Sequence, residues 1–197
     1  NKAAATGAES LATLNGVKEA NAAVQAAVGV AAGSGKSSSL VVRYNVQNGA
    51  SAYYMAEAYG SQGMATLSLY RNQGGTFVKL AEAKLASITG TLRLQAVGTS
   101  LKVFLDGKLQ AFAHDNVLTS AGAVGMRGTS GGTLDNFSYE RLTAAAAVLS
   151  FKDDFAAGGA NAQLRNVYAE KVGNFKVEGG QVANNAINAS SSVAVLN

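Results

Sequence analysis

The sequence predicts an all-β sandwich, and three features of the region between Ala22 and Arg141 lead to this prediction. Short apolar segments recur there at the spacing of roughly eight to twelve residues that is typical of sandwich strands. Within most segments apolar and polar residues alternate, as they do on the two faces of a half-buried strand. Gly, Asn and Ser, and never Pro, separate one segment from the next. We therefore expect about nine antiparallel strands in this region.

The N-terminal segment, residues 1–21, is Ala-rich and allows two interpretations. Leu11, Leu14 and Val17 are spaced three residues apart, which is compatible with a short helix. Leu11–Leu14 is equally compatible with a short strand. Copies of the chain could exchange such a strand with one another. Both interpretations stay open at this point.

The body of the sandwich is expected at residues 22–142, and its first strands follow from alternation and turn residues. Val24–Val30 has an apolar residue at every second position. Leu40–Val46 and Ala52–Ala58 flank the pair Asn48-Gly49, which is a strong signal for the tight turn of a β-hairpin. Asp106-Gly107 predicts a second such turn. The other expected strands are Thr66–Arg71, Thr76–Ala83, Thr91–Val97, Leu101–Leu105, Lys108–His114, Val124–Arg127 and Leu134–Arg141.

The end of the chain divides into a linker, residues 143–148, and a tail, residues 149–197. The linker is a run of small residues without pattern, whereas the tail contains short segments of strand composition. The strand candidates of the tail are Tyr168–Val172, Asn174–Val177, Gln181–Ala183 and Val193–Leu196.

Composition excludes several functions. Charged residues make up 14% of the chain, against about 25% in an average domain, so the surface must consist mainly of small and neutral polar residues. The net charge is +4, but the basic residues of the strands occur singly, and a nucleic-acid groove needs clustered Lys and Arg with aromatic residues. The chain has no Cys and no apolar stretch of the ~18 residues that a membrane span needs. We expect no nucleic-acid partner and no membrane span.

Six segments of the body occur in a characteristic order. They are Leu40–Tyr44, Ala52–Glu57, Leu67–Arg71, Leu101–Gly107, Ser120–Arg127 and Asp135–Phe137. In this order and at this spacing the body resembles the concanavalin A-like superfamily, the lectin/glucanase and laminin-G-like sandwiches. The resemblance implies an antiparallel jelly-roll β-sandwich.

The tail resembles the opening part of the same family, although it follows the body. Phe151–Phe155 looks like the first strand of the family, and Val172–Val182 looks like its second region. The resemblance implies a permuted or strand-exchanged order, because a body without its opening strands exposes a sheet edge. The tail either closes its own sandwich or completes that of a neighbour. The second option is donor-strand complementation, which propagates into a filament.

A short internal similarity favours exchange between copies. Leu11–Asn15 resembles Val193–Asn197, so two segments of one chain compete for one strand position. Insertion of the tail would bury large apolar side chains, each contributing roughly 1.5–3 kcal/mol. The predicted assembly interface consists of Phe151, Phe155, Val172, Phe175 and Val177, and the expected partner is another copy of the chain.

No catalytic residue is predicted. Glucanases of the resembled superfamily use the motif Glu-x-Asp-x-x-Glu, which does not occur in this sequence. Retaining hydrolysis needs two carboxyl groups about 5–5.5 Å apart, whereas Glu57 and Glu82 stand alone in the sequence. His114, the single histidine, is expected at the end of a strand. We therefore predict that the protein is not an enzyme.

Calcium and glycans are the ligands that the resemblance implies. Many relatives hold a structural Ca²⁺ near the first and last strands, and carboxylate and amide oxygens suit this ion. The alternative for the Asp-Asn pair is hydrogen bonding within a turn. The predicted calcium ligands are Asp135, Asn136, Asp153 and Asp154, and no other cofactor is expected. The predicted glycan-stacking residues are Tyr53, Tyr54, Tyr59 and Tyr70, of which the adjacent pair faces opposite sides of a strand.

The leading prediction is a non-catalytic, structural or adhesive subunit that is extracellular or lies at the cell surface. Its C-terminal strands complete a neighbouring sandwich, so that copies self-assemble into a filament. The alternative prediction is a monomeric carbohydrate-binding module of lectin-like fold.

Overall fold

The computed structural model describes residues 2–6, 8–129, 131–143, 153–156, 162–185 and 191–196. Within these ranges the regular elements are strands. These ranges contain no helix that is long and apolar enough to cross a membrane. The strands are β1 (Ala3–Ala4), β2 (Ser10–Thr13), β3 (Ala22–Ala31), β4 (Ser37–Gln47), β5 (Ala50–Ser61), β6 (Met64–Gln73), β7 (Thr76–Leu85), β8 (Ser87–Val97), β9 (Ser100–Leu105), β10 (Lys108–His114), β11 (Ala123–Gly128), β12 (Thr133–Arg141), β13 (Ala162–Gln163), β14 (Tyr168–Val172), β15 (Phe175–Glu178), β16 (Gln181–Asn184) and β17 (Val193–Leu196).

Two antiparallel six-stranded sheets form the sandwich. Sheet A has the strand order β1-β12-β3-β8-β9-β10, and sheet B has the order β2-β11-β4-β5-β6-β7. The strands β3 to β12 fall between Ala22 and Arg141, where about nine strands were expected. The predicted all-β sandwich is therefore confirmed.

The core lies between the inner faces of the two sheets, and it is made mainly of aliphatic side chains from alternate strand positions. Full burial of one such side chain contributes roughly 1.5–3 kcal/mol. The largest fully buried aliphatic side chains include Leu40, Leu67, Leu69, Ile88, Leu92, Leu94 and Leu101.

The two predicted tight turns are present. Asn48 and Gly49 have φ angles of 51° and 79°, and Asp106 and Gly107 have φ angles of 48° and 76°. A positive φ at both central residues is the type I′ conformation, whose twist matches that of the flanking strands. These turns fix the register of β4 with β5 and of β9 with β10.

The N-terminal segment supplies one edge strand to each sheet. β1 pairs with β12 of sheet A, and β2 pairs with β11 of sheet B. Leu11 therefore lies in a strand, and the helical interpretation of this segment is wrong. The strand forms because its backbone groups pair with those of β11.

The described strands of the tail pair with one another. β15 lies between β13 and β16 in one small sheet, and β14 pairs with β17 in a second. Within one chain the described tail thus adds no strand to sheet A or sheet B. Completion of a neighbour by the tail stays a prediction. Phe151 and the linker residues 144–148 lie outside the described residues.

A β-bulge in β4 interrupts the alternation of side chains between the two faces at Arg43 and Tyr44. The register with β5 shifts between Val42 and Asn45, so that Arg43 and Tyr44 share one position. Arg43, with a φ angle of 54°, turns towards the end of the core. Its guanidinium donates hydrogen bonds to the carbonyl oxygens of Ala20, Gly98 and Leu118 at 2.7, 2.6 and 2.9 Å. The bulge leaves Tyr44 on the outer face of sheet B.

Candidate functional site

The outer face of sheet B, the side turned away from the core, carries an unusual set of large side chains. The strand register arranges them in adjacent rows. One row contains Tyr44, Tyr53, Asn72 and Phe77. The next contains Val41, Met55, Tyr70 and Lys79. The third contains Arg127, Ser39, Glu57, Ser68 and Glu82. The aromatic row thus lies two rows from the charged row on the same face.

The aromatic side chains pack against each other and leave one ring open to solvent. Tyr53 stacks on Tyr44 with 5.8 Å between ring centroids. Phe77 meets Tyr53 and Tyr70 edge to face at 6.4 and 6.1 Å. Tyr53 is only 2% exposed, whereas Phe77 is 41% exposed. The tyrosines therefore support the Phe77 side chain, part of whose surface stays open to solvent.

Arg127 links the aromatic and charged rows. It comes from β11, and its Cζ atom lies 5.4 Å from the centroid of the Phe77 ring on β7. Three strands separate β11 from β7, which in a flat sheet corresponds to about 19 Å. Two side chains cannot span that distance, so sheet B curves towards this face. The outer face of sheet B is concave.

Two carboxylates hold the guanidinium of Arg127. Its Nε atom donates to Glu9 Oε1 at 2.8 Å, and its Nη1 atom lies 3.5 Å from Glu57 Oε1. The hydrogen bond from Arg127 lowers the pKa of Glu9. Burial raises the pKa of Glu57, although the charge of Arg127 acts in the opposite direction. Glu57 is thus a partly buried carboxyl group on the floor of the concave face.

The charges of this face are arranged in pairs. Lys79 forms an ion pair with Glu82, whose carboxylate also accepts a hydrogen bond from Ser68 Oγ at 3.2 Å. The hydroxyl of Ser39 lies in the same row as Arg127 and Glu57, and it is buried without a hydrogen-bond partner among the described residues. The face therefore offers paired charges and polar groups that can both donate and accept hydrogen bonds.

The structure separates the four predicted tyrosines. Tyr54 is 0% exposed and lies in the core, where its hydroxyl donates to Asp115 Oδ1 at 2.6 Å. Its prediction as a glycan-stacking residue is wrong, because no ligand reaches that ring in the folded chain. Tyr53 lies on the outer face of sheet B but is covered, so it too presents no ring surface. Tyr70 is half-buried beside Phe77, and Tyr59 is exposed further along the same face.

The predicted calcium ligands are engaged in other ways. Asp153 forms a 2.6 Å ion pair with Arg165, and Asp154 accepts a hydrogen bond from the backbone of Ala156. The Asp135 carboxylate accepts a 2.8 Å hydrogen bond from the backbone N–H of Asn136. In the part of the chain that the structure describes, no group of three or more Asp, Glu or His side chains is arranged around a common point. The calcium site stays a prediction.

The predicted assembly residues lie in the small sheets of the tail and at their margins. Phe155 stacks on Tyr168 at 6.2 Å, and Val177 is buried. Phe175 is half-buried, whereas Val172 is exposed. Their role in an interface between copies stays a prediction.

Sequence reasoning did not single out Phe77 and Arg127, and it treated Glu57 as isolated. The signal that was available is the period of two in β5, which puts Tyr53, Met55 and Glu57 on one face. No local signal links Phe77 to Arg127, because the two residues are 50 positions apart and meet only through the curvature of sheet B.

The comparisons with known proteins agree with the sandwich. No protein-family model and no curated protein matches the chain. Among solved structures, the carbohydrate binding module CBM66 from Bacillus subtilis matches with a TM-score of 0.57 and 20% identity over 71% of this chain and 85% of that chain. The Caenorhabditis elegans galectin LEC-6 matches with a TM-score of 0.48 and 12% identity over 72% of this chain and 96% of that chain.

A third match is the Ruminococcus gnavus IT-sialidase CBM40 bound to alpha2,3 sialyllactose, with a TM-score of 0.46 and 15% identity over 73% of this chain and 92% of that chain. The permuted strand order stays a prediction. The likeness to CBM66, together with the two six-stranded sheets, shows the fold: the chain is an all-β, antiparallel jelly-roll sandwich, as the sequence predicted.

Proposed function

We propose that the protein is a non-catalytic, extracellular or cell-surface module that binds a neutral glycan on the concave outer face of sheet B. The observation that carries this proposal is the exposed ring of Phe77, which rests on Tyr53 and Tyr70 beside the Arg127–Glu57 pair. The apolar side of a sugar ring stacks on an aromatic face, and its hydroxyl groups exchange hydrogen bonds with the polar groups around it.

A neutral glycan suits this face better than an anionic one. Arg127 is already paired with Glu9 and Glu57, and Lys79 is paired with Glu82. An anionic sugar would have to displace one of these carboxylates, whereas hydroxyl groups can donate to them and accept from the guanidinium. The shared fold with a carbohydrate-binding module gives independent support for this proposal.

The test is a glycan array followed by titration calorimetry on the best glycan found. Phe77→Ala is expected to weaken its binding about tenfold or more, because removal of a central aromatic anchor typically costs more than 1 kcal/mol. Glu57→Gln keeps the shape of the side chain but changes its hydrogen bonding, so it is also expected to weaken binding. Val78→Ala is the matched control, because Val78 is an equally exposed neighbour whose side chain points to the other side of β7.

Two results would contradict the glycan proposal. One is a folded protein that binds no glycan on the array. The other is a glycan whose affinity is unchanged by Phe77→Ala, which would move the binding site away from this face.

A second candidate function is self-assembly, in which the tail of one copy completes a neighbour and copies join into a filament. The observation that favours it is the ribbon of β14 and β17, in which Val172, Val193, Val195 and Leu196 are 45–48% exposed. Four exposed aliphatic side chains on so short a ribbon are an apolar surface that a partner would cover. β17 also resembles β2 in sequence, and β2 is an edge strand of sheet B.

Light scattering across a concentration series tests self-assembly. Assembly predicts a mass that rises with concentration above the 19.9 kDa of one chain. The double variant Val193→Ser with Val195→Ser is expected to reduce that rise. A single 19.9 kDa species at every concentration would exclude assembly and leave the glycan proposal untouched.

A further inference from the structure

The outer face of sheet A carries a second apolar cluster, and this cluster is buried although it lies outside the core. Phe104, Leu109 and Phe112 are 7, 5 and 3% exposed. The register of β9 with β8 and β10 turns them away from the inner residues Val103 and Ala111. Together with Lys102 and His114, which share this face, they form what we call the tail-docking surface.

The tail contacts this surface through a small number of polar groups. The carboxylate of Glu170 forms an ion pair with Lys102, and both groups are buried. Lys102 Nζ also donates to Gln163 Oε1 at 3.0 Å. His114 Nε2 donates to the carbonyl oxygen of Gly173 at 2.9 Å. The tail is thus docked by side chains of the body, with no strand pairing between the two among the described residues.

The tail presents these acceptors in a preformed arrangement. Asn174, which is fully buried, donates from Nδ2 to Gln163 Oε1 at 2.8 Å and to Glu170 Oε1 at 3.1 Å. The backbone N–H of Phe175 donates to the same Glu170 oxygen at 3.0 Å. Contacts within the tail therefore orient both groups that meet Lys102.

The margin of the contact between the tail and its docking surface is open to solvent. An open groove of about 360 Å³ runs along the contact, lined on one side by Leu80, Phe112 and His114 and on the other by Val172. Val172 belongs to the exposed apolar ribbon of β14 and β17. The docked tail of a single chain thus leaves apolar surface open at the rim of its own contact.

We infer that the tail-docking surface also receives the tail of a second copy of this chain. The contacts are made by preformed groups on each side, and they are identical whichever chain supplies the tail. Exchange of an identical element between copies is a low-cost route to association, because it uses contacts that already exist. The tail moves as a unit with its own strands paired, which distinguishes this exchange from donation of a single strand.

This inference rests on the self-assembly proposal and names the surface through which copies meet. Its test is a charge-reversal complementation between two variants, Lys102→Glu and Glu170→Lys. Each variant alone places like charges at the contact, so its own tail is displaced. In an equal mixture, the body of each variant matches the tail of the other. The double variant K102E/E170K in one chain restores the contact internally and serves as the control.

The expected result is mixed species at twice the 19.9 kDa mass of one chain or at higher multiples, which either variant alone and the double variant form to a much smaller extent. A mixture whose mass distribution equals that of the separate variants would overturn the inference. Circular dichroism checks that each variant keeps the strand signal of the body. Because a charge reversal can unfold a chain, a second measurement uses the wild-type protein.

The second measurement mixes isotopically labelled and unlabelled wild-type chains at high concentration. An isotope-filtered nuclear Overhauser effect between Lys102 and Glu170 arises only when the two residues belong to different chains. Its presence supports exchange, and its absence in an assembled sample overturns it while self-assembly by another route stands. A wild-type sample that stays at 19.9 kDa while the variant mixture associates would instead keep the docking surface and exclude spontaneous assembly.

Discussion

The body and the tail are both built from antiparallel strands, but different forces hold them together. The body packs the inner faces of two six-stranded sheets into one aliphatic core. In the tail, the apolar side chains that are buried among the described residues are Val167 and Val177. Its centre is instead the polar group around Asn174 and Glu170.

This difference decides how each region responds to change. Burial of aliphatic area is non-directional and is spread over many residues, so the body is expected to stay folded when any one polar contact is lost. A buried polar network depends on a few groups, each of which leaves an unsatisfied partner when it is removed. Regions with little buried apolar area also open at a lower free energy than the rest of a protein. We therefore expect the tail to open while the body stays folded.

The largest expected effect is the loss of a core side chain from the body. Leu67→Ala is expected to lower the free energy of unfolding by about 2–5 kcal/mol, because it removes buried methyl groups and leaves a cavity. Val177→Ala, the corresponding change in the tail, is expected to increase hydrogen exchange only in the small sheet of β13, β15 and β16. Exchange of backbone amides, measured by mass spectrometry on both variants, checks this. Equal loss of protection in body and tail for Val177→Ala would show that the two regions unfold together.

The next effect concerns a buried polar contact of the body. Tyr54→Phe removes a hydroxyl that donates to Asp115 Oδ1 and accepts from the backbone N–H of Leu118 at 3.0 Å. The N–H of Leu118 then loses its acceptor, whereas Asp115 Oδ1 keeps the N–H of Val117 at 2.9 Å, and the loss is expected to destabilise the body by about 1–3 kcal/mol. Urea unfolding followed by circular dichroism measures the loss. Tyr59→Phe is the control on the same strand, because Tyr59 is exposed, and it should leave the midpoint unchanged.

Tyr53 and Tyr54 show how far the sequence carries the fold and the site. Alternation correctly predicts that two adjacent residues of a strand face opposite sides. It cannot say which side is the core, because that depends on the sheet that packs against β5. The choice of Tyr54 as a ligand contact failed for this reason. The same limit applies to Phe77 and Arg127, which meet only because sheet B is curved.

The tail illustrates the same limit at a larger scale. Local composition placed its strands correctly, since Tyr168–Val172 and Val193–Leu196 are strands in the structure. The partner of each strand is a long-range property, which family order was used to predict. Within one chain β14 pairs with β17 rather than with a strand of the body. Short strands with few apolar residues carry little information about their partners.

The tail network gives a prediction that is confined to one region. Asn174→Ala leaves Gln163 Oε1 and Glu170 Oε1 without one of their donors. We expect faster proteolysis and faster amide exchange in β13 to β17, because the tail opens more often. The unfolding midpoint of the body is expected to stay the same. Asn72→Ala changes a buried asparagine of sheet B instead. It should lower the unfolding midpoint of the body and leave amide exchange in β13 to β17 unchanged. A lowered midpoint of the body for Asn174→Ala would contradict the separation of the two regions.

The smallest expected effect concerns the other end of the chain, where an ion pair also attaches an edge element to the body. Glu9 precedes β2 and accepts a hydrogen bond from Arg127, but its side chain is 54% exposed, unlike the buried Lys102–Glu170 pair of the tail. Solvent and salt screen such a pair, so Glu9→Gln is expected to cost little at pH 7.

The pH dependence of the stability that Glu9 contributes has a sign that identifies its contact with Arg127. Arg127 lowers the pKa of Glu9 in the folded chain, so the carboxylate stabilises the fold above its unfolded pKa of about 4.3. That stability is lost as the pH falls through the folded pKa. The difference between wild type and Glu9→Gln should therefore shrink on acidification. Burial raises the pKa of Glu57, so its ionisation disfavours the fold as the pH rises. The stability of wild type relative to Glu57→Gln should therefore rise on acidification, which is the opposite trend. Thermal melts of both variants between pH 3 and pH 7 measure the two slopes, and slopes of equal sign would contradict this assignment.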